Sequence, residues 1–474
     1  MTLRTVDLHV PELTRVEGGG ALHVTVRNGV VDDVQLEIFE APRLFEALLR
    51  GRGFAEPIDI TARICGICPV AYQLTACQAI ESIDDVRPEP GIRELRRLLY
   101  CGEWIASHVL HMAFLHAPDF VGVDSAFDLA HLEPDLLDDV LHLKRTGNRI
   151  LDVVGGRPIH PVNVRAGGFH RIPSQDEVVA LADDLERAHD AAIALVRWVA
   201  GFDFPSLGAR GSHTELVSLR DEQGYPIDGG RIVSDRGLDL DVADFGDVVR
   251  ERHEPHSTAL FARLAADGRE RVYQTGPLAR WANNADLVPD SVRGLADELG
   301  VAPSETNPFR SIIVRGLEVV WAIEEAQRIV ATHRSPSAPY ADVRPPVGVG
   351  HGATEAPRGL LFHRYEIDRS GRIAEASIIP PTSQNQEAIR RDLATFVSSH
   401  LDLDDQTLAR RCELVIRNFD PCISCASHFL RVDVERADDD LSAPPDQRAS
   451  RRSGARRSRS ARGGSGRPTG SSPG

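Results

Sequence analysis

Thr61-Ala62-Arg63-Ile64-Cys65-Gly66-Ile67-Cys68-Pro69 and Phe419-Asp420-Pro421-Cys422-Ile423-Ser424-Cys425-Ala426-Ser427-His428 are the two stretches that decide the reading of this chain. Each holds a Cys-x-x-Cys turn, which projects both thiolates to one side. Two such turns brought together make a four-sulfur site for a soft or borderline metal. Either pair alone would fit half a zinc site or a redox dithiol. The combination is specific, because Arg and Gly frame the first pair and Asp-Pro and His frame the second. A helical pattern follows the first pair, from Val70 to Ile83. The remaining cysteines, Cys77, Cys101 and Cys412, have no partner at a metal-like spacing and read as buried, inert thiols. Seven cysteines among 474 residues are no disulfide scaffold. In a cytosolic setting, paired Cys-x-x-Cys turns more often signal metal or redox chemistry.

The surrounding sequence is that of a globular protein, 42% hydrophobic and 26% charged. Its net charge of -16 conceals +4 in residues 429–474, where ten Arg face six Asp or Glu, so residues 1–428 carry -20. Nucleic acid is a poor ligand for so acidic a body. Met1 to Gly20 has charges where a secretory signal needs an apolar run. The most apolar helical candidate, Ala191 to Phe202, is interrupted by Arg197 and falls short of the ~20 residues of a bilayer span. These features point to the cytoplasm and to no direct membrane span. Two hairpins are expected: Ala21 to Val26 with Val30 to Phe39 around Arg27-Asn28-Gly29, and Leu360 to Ile367 with Arg372 to Ile379 around Asp368-Arg369-Ser370-Gly371. The spacing of apolar residues predicts helices over Ile92 to His116, Glu133 to Val154, Ser174 to Phe202 and Asn385 to His400, the third opened by a capping box at Ser174. The fold class is therefore α+β and predominantly helical, with peripheral β-hairpins. One domain is expected over 1–428. After about Ala437 the sequence turns into Asp-Asp-Asp, Pro-Pro and then, from Arg448, an Arg/Ser/Gly mixture without apolar periodicity, so 429–474 reads as a disordered or removed extension.

From about Leu13 to His428 the chain resembles the large subunits of [NiFe] hydrogenases, a fold shared with the quinone-side subunit of respiratory complex I. Arg-x-Cys-Gly-x-Cys and Asp-Pro-Cys-x-x-Cys-x-x-His are similar to the family's two nickel-binding motifs. Thr14-Arg15-Val16-Glu17-Gly18, Phe45-Glu46, Gly155-Gly156-Arg157-Pro158-Ile159-His160-Pro161, Glu355-Ala356-Pro357-Arg358-Gly359 and Pro381-Thr382-Ser383-Gln384-Asn385-Gln386 resemble its supporting elements, in the expected order. The resemblance implies that Cys65, Cys68, Cys422 and Cys425 bind nickel, with Cys68 and Cys425 also bridging to an iron that holds carbon monoxide and cyanide. It implies reversible splitting of dihydrogen, with Cys422 accepting the proton and Glu17 relaying it outward. Arg358, paired with Asp420, would lie over the metals, and Thr382 would donate to a cyanide. Glu46, His428 and the Gln386 carbonyl would hold a second, hard cation, magnesium or iron.

The departures carry information too. Tyr72 stands where many relatives have a histidine, and Cys-Pro-Val-Ala-Tyr-Gln resembles the soluble, bifunctional NADP-linked class with sulfur-reducing activity. Ser107 stands where many place an aspartate beneath the arginine. His108 and His111 share a helix face and read as core or channel-lining histidines before a metal pair; His160 reads similarly. No iron-sulfur motif and no Gly-x-Gly-x-x-Gly occurs. The resemblance therefore implies a small iron-sulfur subunit, flavin and NAD(P) diaphorase subunits, and a maturation endopeptidase cutting between His428 and Phe429. Competing readings are a deazaflavin-reducing or NAD-reducing hydrogenase and, outside enzymes, a structural protein with zinc on the four cysteines.

Overall fold

Four long helices carry the interior: Pro90–Val109, Pro134–Gly155, Ala182–Ala200 and Ser311–Thr332. The first two open with proline at N1, where its fixed φ suits a helix start, and Pro134–Gly155 closes on Gly156 at φ 81. Pro90–Val109 and Ala182–Ala200 each pack against both Pro134–Gly155 and Ser311–Thr332, closing a ring around the main core. The computed structural model describes residues 4–41, 44–125, 128, 131–207, 214–222, 224–266 and 268–427.

Around this bundle lie small sheets. Val6–Val10, Gly20–Arg27 and Val30–Ile38 form an antiparallel sheet whose second turn has Asn28 at φ 52 and Gly29 at φ 75, the two positive values a type I′ turn requires. Gly348–Ala356, Gly359–Ile367 and Ile373–Ile379 form another. The Pro69–Glu81 helix lies on the Gly348–Ala356 strand, and two glycines allow the close approach. A Cβ at Gly350 would fall 1.9 Å from the Ala79 carbonyl, and one at Gly352 would fall 2.4 Å from that of Thr75. Helices Pro381–Ser399 and Asp405–Arg417 pack on each other and reach the N-terminal sheet, so the two ends of the described chain meet. An isolated parallel bridge pairs Glu17 with Cys422.

Both expected hairpins are present, each extended by a strand the sequence does not announce. The Ser174 capping box forms, but the helix it opens stops at Val179 and a second begins at Ala182. The run expected to end at His116 is α-helical to Val109 and π-helical over Leu110–His116. The apolar spacing does not announce Ser311–Thr332, because that helix is buried on nearly every face, Arg315 and Glu318 included, and so has no clear amphipathic period. Among the described residues no helix is long and apolar enough to cross a membrane. His428 and the whole of 429–474 lie outside the described residues.

Candidate metal centre

The first cysteine pair sits in the turn between the Glu56–Thr61 helix and the Pro69–Glu81 helix, with Cys68 at the N-cap. The Ile67 and Cys68 amides donate to the Cys65 sulfur at 3.2 and 3.4 Å. The second pair follows Asp420, whose φ of 49 turns the chain after the Asp405–Arg417 helix. The Cys422 amide donates to Thr382 Oγ1 at 3.0 Å, which ties the second pair to the start of the Pro381–Ser399 helix. The four sulfurs are buried and all lie within 4.8 Å of one another. Cys422 is 2.7 Å from Cys425 and 3.5 Å from Cys65, and Cys68 is 3.9 Å from Cys425.

Four such thiols do not ionise alike. Hydrogen bonds from Cys422, Cys425 and Cys68 pull the Cys65 thiol well below its ordinary value, while burial pushes Cys422 and Cys425 up. One sulfur ionises readily, and further negative charge accumulates only if a cation compensates it. A buried four-cysteine set of this kind suits a thiophilic metal.

Arg358 supplies a fixed positive charge beside the sulfurs. Burial opposes that charge, but Asp420 and then Cys422, Cys68 and Cys65 outweigh burial and hold the guanidinium firmly protonated. Its Nε donates to the Asp420 carbonyl at 2.7 Å and its Nη2 to Asp420 Oδ1 at 3.2 Å. Arg358 Nη1 and Asp420 Oδ2 are buried without a hydrogen-bond partner.

Glu17 leads outward. Its Oε2 accepts from the Cys422 thiol and from the Ser424 amide, both at 3.0 Å. Ser424 Oγ then donates to Glu40 Oε2 at 3.2 Å, and the Gly19 amide donates to Glu40 Oε1 at 3.0 Å. Glu17 and Glu40 are half-buried. The sequence reading missed Ser424, though it sits inside the second motif, and Glu40, which no local pattern marks. It also missed Glu103, a fully buried carboxyl group that accepts from the Val70 and Ala71 amides at 2.6 and 3.1 Å and so fixes the helix behind Cys68.

The remaining candidates are placed as follows. Glu46, on the Phe45–Leu49 helix, accepts from the Ile378 amide at 2.7 Å. Gln386 is fully buried and neither atom of its side-chain amide has a hydrogen-bond partner. Thr382 accepts from the Cys422 amide and keeps its own proton to donate. Burial and then the charges of Cys425, Cys68 and Cys422 raise the Tyr72 hydroxyl, which keeps it neutral against the sulfurs. Ser107 Oγ is buried without a partner. His108 lies 3.0 Å from Glu318, while the π-helical turn sets His111 against His116, ring centroids 4.9 Å apart. His111 Nε2 contacts the Arg417 carbonyl at 2.8 Å and His160 Nδ1 that of Ala62 at 2.7 Å.

A buried four-thiol site flanked by an arginine and by a carboxylate is that of a protein built to hold a thiophilic metal. Residues 43–135 match the family model described as Nickel-dependent hydrogenase. The chain is 31% identical to sulfhydrogenase 1 subunit alpha of Pyrococcus furiosus, over 90% of this chain and 99% of that one. It is 28% identical to the NAD-reducing hydrogenase HoxS subunit beta of Cupriavidus necator, over 89% and 95%. Among solved structures, an NAD+-reducing [NiFe]-hydrogenase in the H2-reduced state superposes with a TM-score of 0.79 at 26% identity, over 90% of this chain and all of that one. The chain belongs to the nickel-dependent hydrogenases, as a large subunit.

Proposed function

We propose that this chain splits and forms dihydrogen at a nickel-iron centre: Cys65, Cys68, Cys422 and Cys425 would hold nickel, and Cys68 and Cys425 would also hold an iron carrying carbon monoxide and cyanide. The observation that carries the reading is the buried four-sulfur cluster with Glu17 Oε2 3.0 Å from the Cys422 sulfur. The bound centre supplies heterolytic cleavage of dihydrogen. The protein's own part is to hold charge and move a proton. Cys422 Sγ takes the proton, and Glu17 Oε2 accepts it within hydrogen-bond distance. Ser424 holds Glu17 through its amide and Glu40 through its hydroxyl. Arg358, kept charged and anchored at both Nε and Nη2 by Asp420, directs positive field over the sulfurs and would stabilise negative charge on a centre bound there. Thr382 keeps a hydroxyl proton that it would donate to a cyanide. Glu46, the Gln386 carbonyl and His428 would hold magnesium or iron through hard oxygen and imidazole donors.

Electrons would leave through a small iron-sulfur subunit to flavin and NAD(P) subunits, a reading supported by the sulfhydrogenase and NAD-reducing relatives and by the lack of cluster-binding cysteines in this sequence. The chain would work in the cytoplasm as a catalytic domain over 1–428, with 429–474 removed by an endopeptidase. Elemental analysis of the purified complex tests the centre: the large subunit should hold one nickel, with iron in excess of that needed by the partner's clusters. Zinc alone in the four-cysteine site would overturn the reading.

A further inference from the structure

Arg358 sits in the two-residue turn Pro357-Arg358 between Ala356 and Gly359, which pair across the hairpin. A two-residue turn does not by itself fix the direction of its second side chain, and the structure shows what does. Arg280, on the Pro277–Asn284 helix, is completely buried, and all five N–H donors of its guanidinium are used. Nε and Nη2 form a fork onto Glu318, 2.7 Å each. Nη1 donates to Glu355 Oε2 and to the Ala356 carbonyl, both at 3.0 Å, and Nη2 also reaches the Pro357 carbonyl at 3.1 Å. Trp104 lies against the guanidinium, 4.5 Å from ring centroid to Cζ, and its indole N–H donates to the Glu355 carbonyl at 2.9 Å. The three carbonyls that precede Arg358 are thus all held. Glu318 is itself held by the Tyr225 hydroxyl at 2.8 Å, with the His108 ring packed 3.0 Å away.

We propose that Arg280 is a positioning residue for Arg358: braced on Glu318 and Trp104, it clamps the carbonyls of Ala356 and Pro357 and thereby sets where the Arg358 guanidinium lies. The proposal rests on the role assigned to Arg358 above. Only a planar fork spans a carboxylate and two carbonyls at once, so lysine at this position would keep the charge against Glu318 and release the turn. A merely structural Arg280–Glu318 pair would stabilise the core without a specific link to Arg358.

A double-mutant cycle in the metal-loaded complex separates the two. Arg280→Lys should retain nickel and iron, lose turnover on the order of 10²-fold through misplacement of Arg358, and speed amide exchange in 354–361. Combined with Arg358→Lys, it should turn over within about threefold of Arg358→Lys alone. Glu318→Gln, which loosens the brace and leaves the clamp's own donors in place, should give the same non-additivity and serves if Arg280→Lys fails to accumulate. Losses that multiply, or unchanged exchange in 354–361, would overturn the assignment. Wild-type turnover in Arg358→Lys would remove the role proposed for Arg358 itself, and the exchange measurement would still decide whether Arg280 holds the turn.

Discussion

Replacing Glu17 by Gln separates shape from proton transfer at one atom. Glu17 Oε2 accepts from the Ser424 amide and the Cys422 thiol, both at 3.0 Å. The amide oxygen of Gln can keep the Ser424 bond, so the structural loss is one hydrogen bond, about 1 kcal/mol. Gln cannot take up and release a proton, and a positioned acid-base group contributes about 10²–10⁴-fold, or about 3–5 kcal/mol in the barrier. The chemical effect should therefore exceed the structural one several-fold. The variant should keep its fold, nickel and iron, and should produce HD and D2 from H2 in heavy water at least about 10²-fold more slowly than the parent, followed by membrane-inlet mass spectrometry. Glu17→Asp, withdrawn by one methylene of ~1.5 Å, should fall between the two. Exchange at the parental rate in Glu17→Gln would refute the relay.

Cys422→Ser should lose both nickel and dihydrogen turnover, because a hard, weakly acidic hydroxyl does not replace a thiolate; near-normal metal content by elemental analysis would contradict the ligand assignment. Burial holds His108 down at about 4, against an ordinary 6.5, with Glu318 offsetting part of the effect. The folded state prefers the neutral ring, so this contribution is complete above pH ~6.5 and is lost as pH falls toward ~4, about 3 kcal/mol in all and about 2 by pH 5. Denaturant titrations at pH 7 and 5 should show the parent losing about 2 kcal/mol more than His108→Gln, and parallel losses would refute this. Intact-mass measurement on active, nickel-loaded enzyme should find a large subunit ending at His428; a fully active chain ending at Gly474 would show that the extension stays.

The parts of the site legible in the sequence are those whose chemistry is written locally. Two Cys-x-x-Cys turns named Cys65, Cys68, Cys422 and Cys425, and the family resemblance of Thr-Arg-Val-Glu-Gly and Asp-Pro added Glu17 and Asp420. The contact from Ser424 to Glu40 spans 384 positions and leaves no local trace. Glu103 likewise looks like any helical glutamate until the Val70 and Ala71 amides are seen against it. For the fold, turn chemistry was the reliable guide, as Asn28-Gly29 and Asp368 to Gly371 made hairpins. Gly348–Ala356 carries three glycines where β-branched residues would announce a strand, and its role is visible only once the Pro69–Glu81 helix lies upon it. The His108/His111 face was read from a 3.6-residue period. The wider π-helical turn beyond Val109 brings His111 to His116 instead.

The bridge between Glu17 and Cys422 joins positions 405 residues apart, and the Cys65 and Cys422 sulfurs meet across 357. During synthesis the first thiol pair leaves the ribosome long before its complement exists. At ~5–20 residues per second, tens of seconds pass in which Cys65 and Cys68 form an open, two-sulfur half-site able to take up whatever thiophilic ion is abundant. A finished centre therefore depends on order in time: the first pair must wait for Cys422 and Cys425 to emerge before the four sulfurs can close. Translation rate and metal supply would then set the yield of correctly loaded enzyme as firmly as any residue in the mature site.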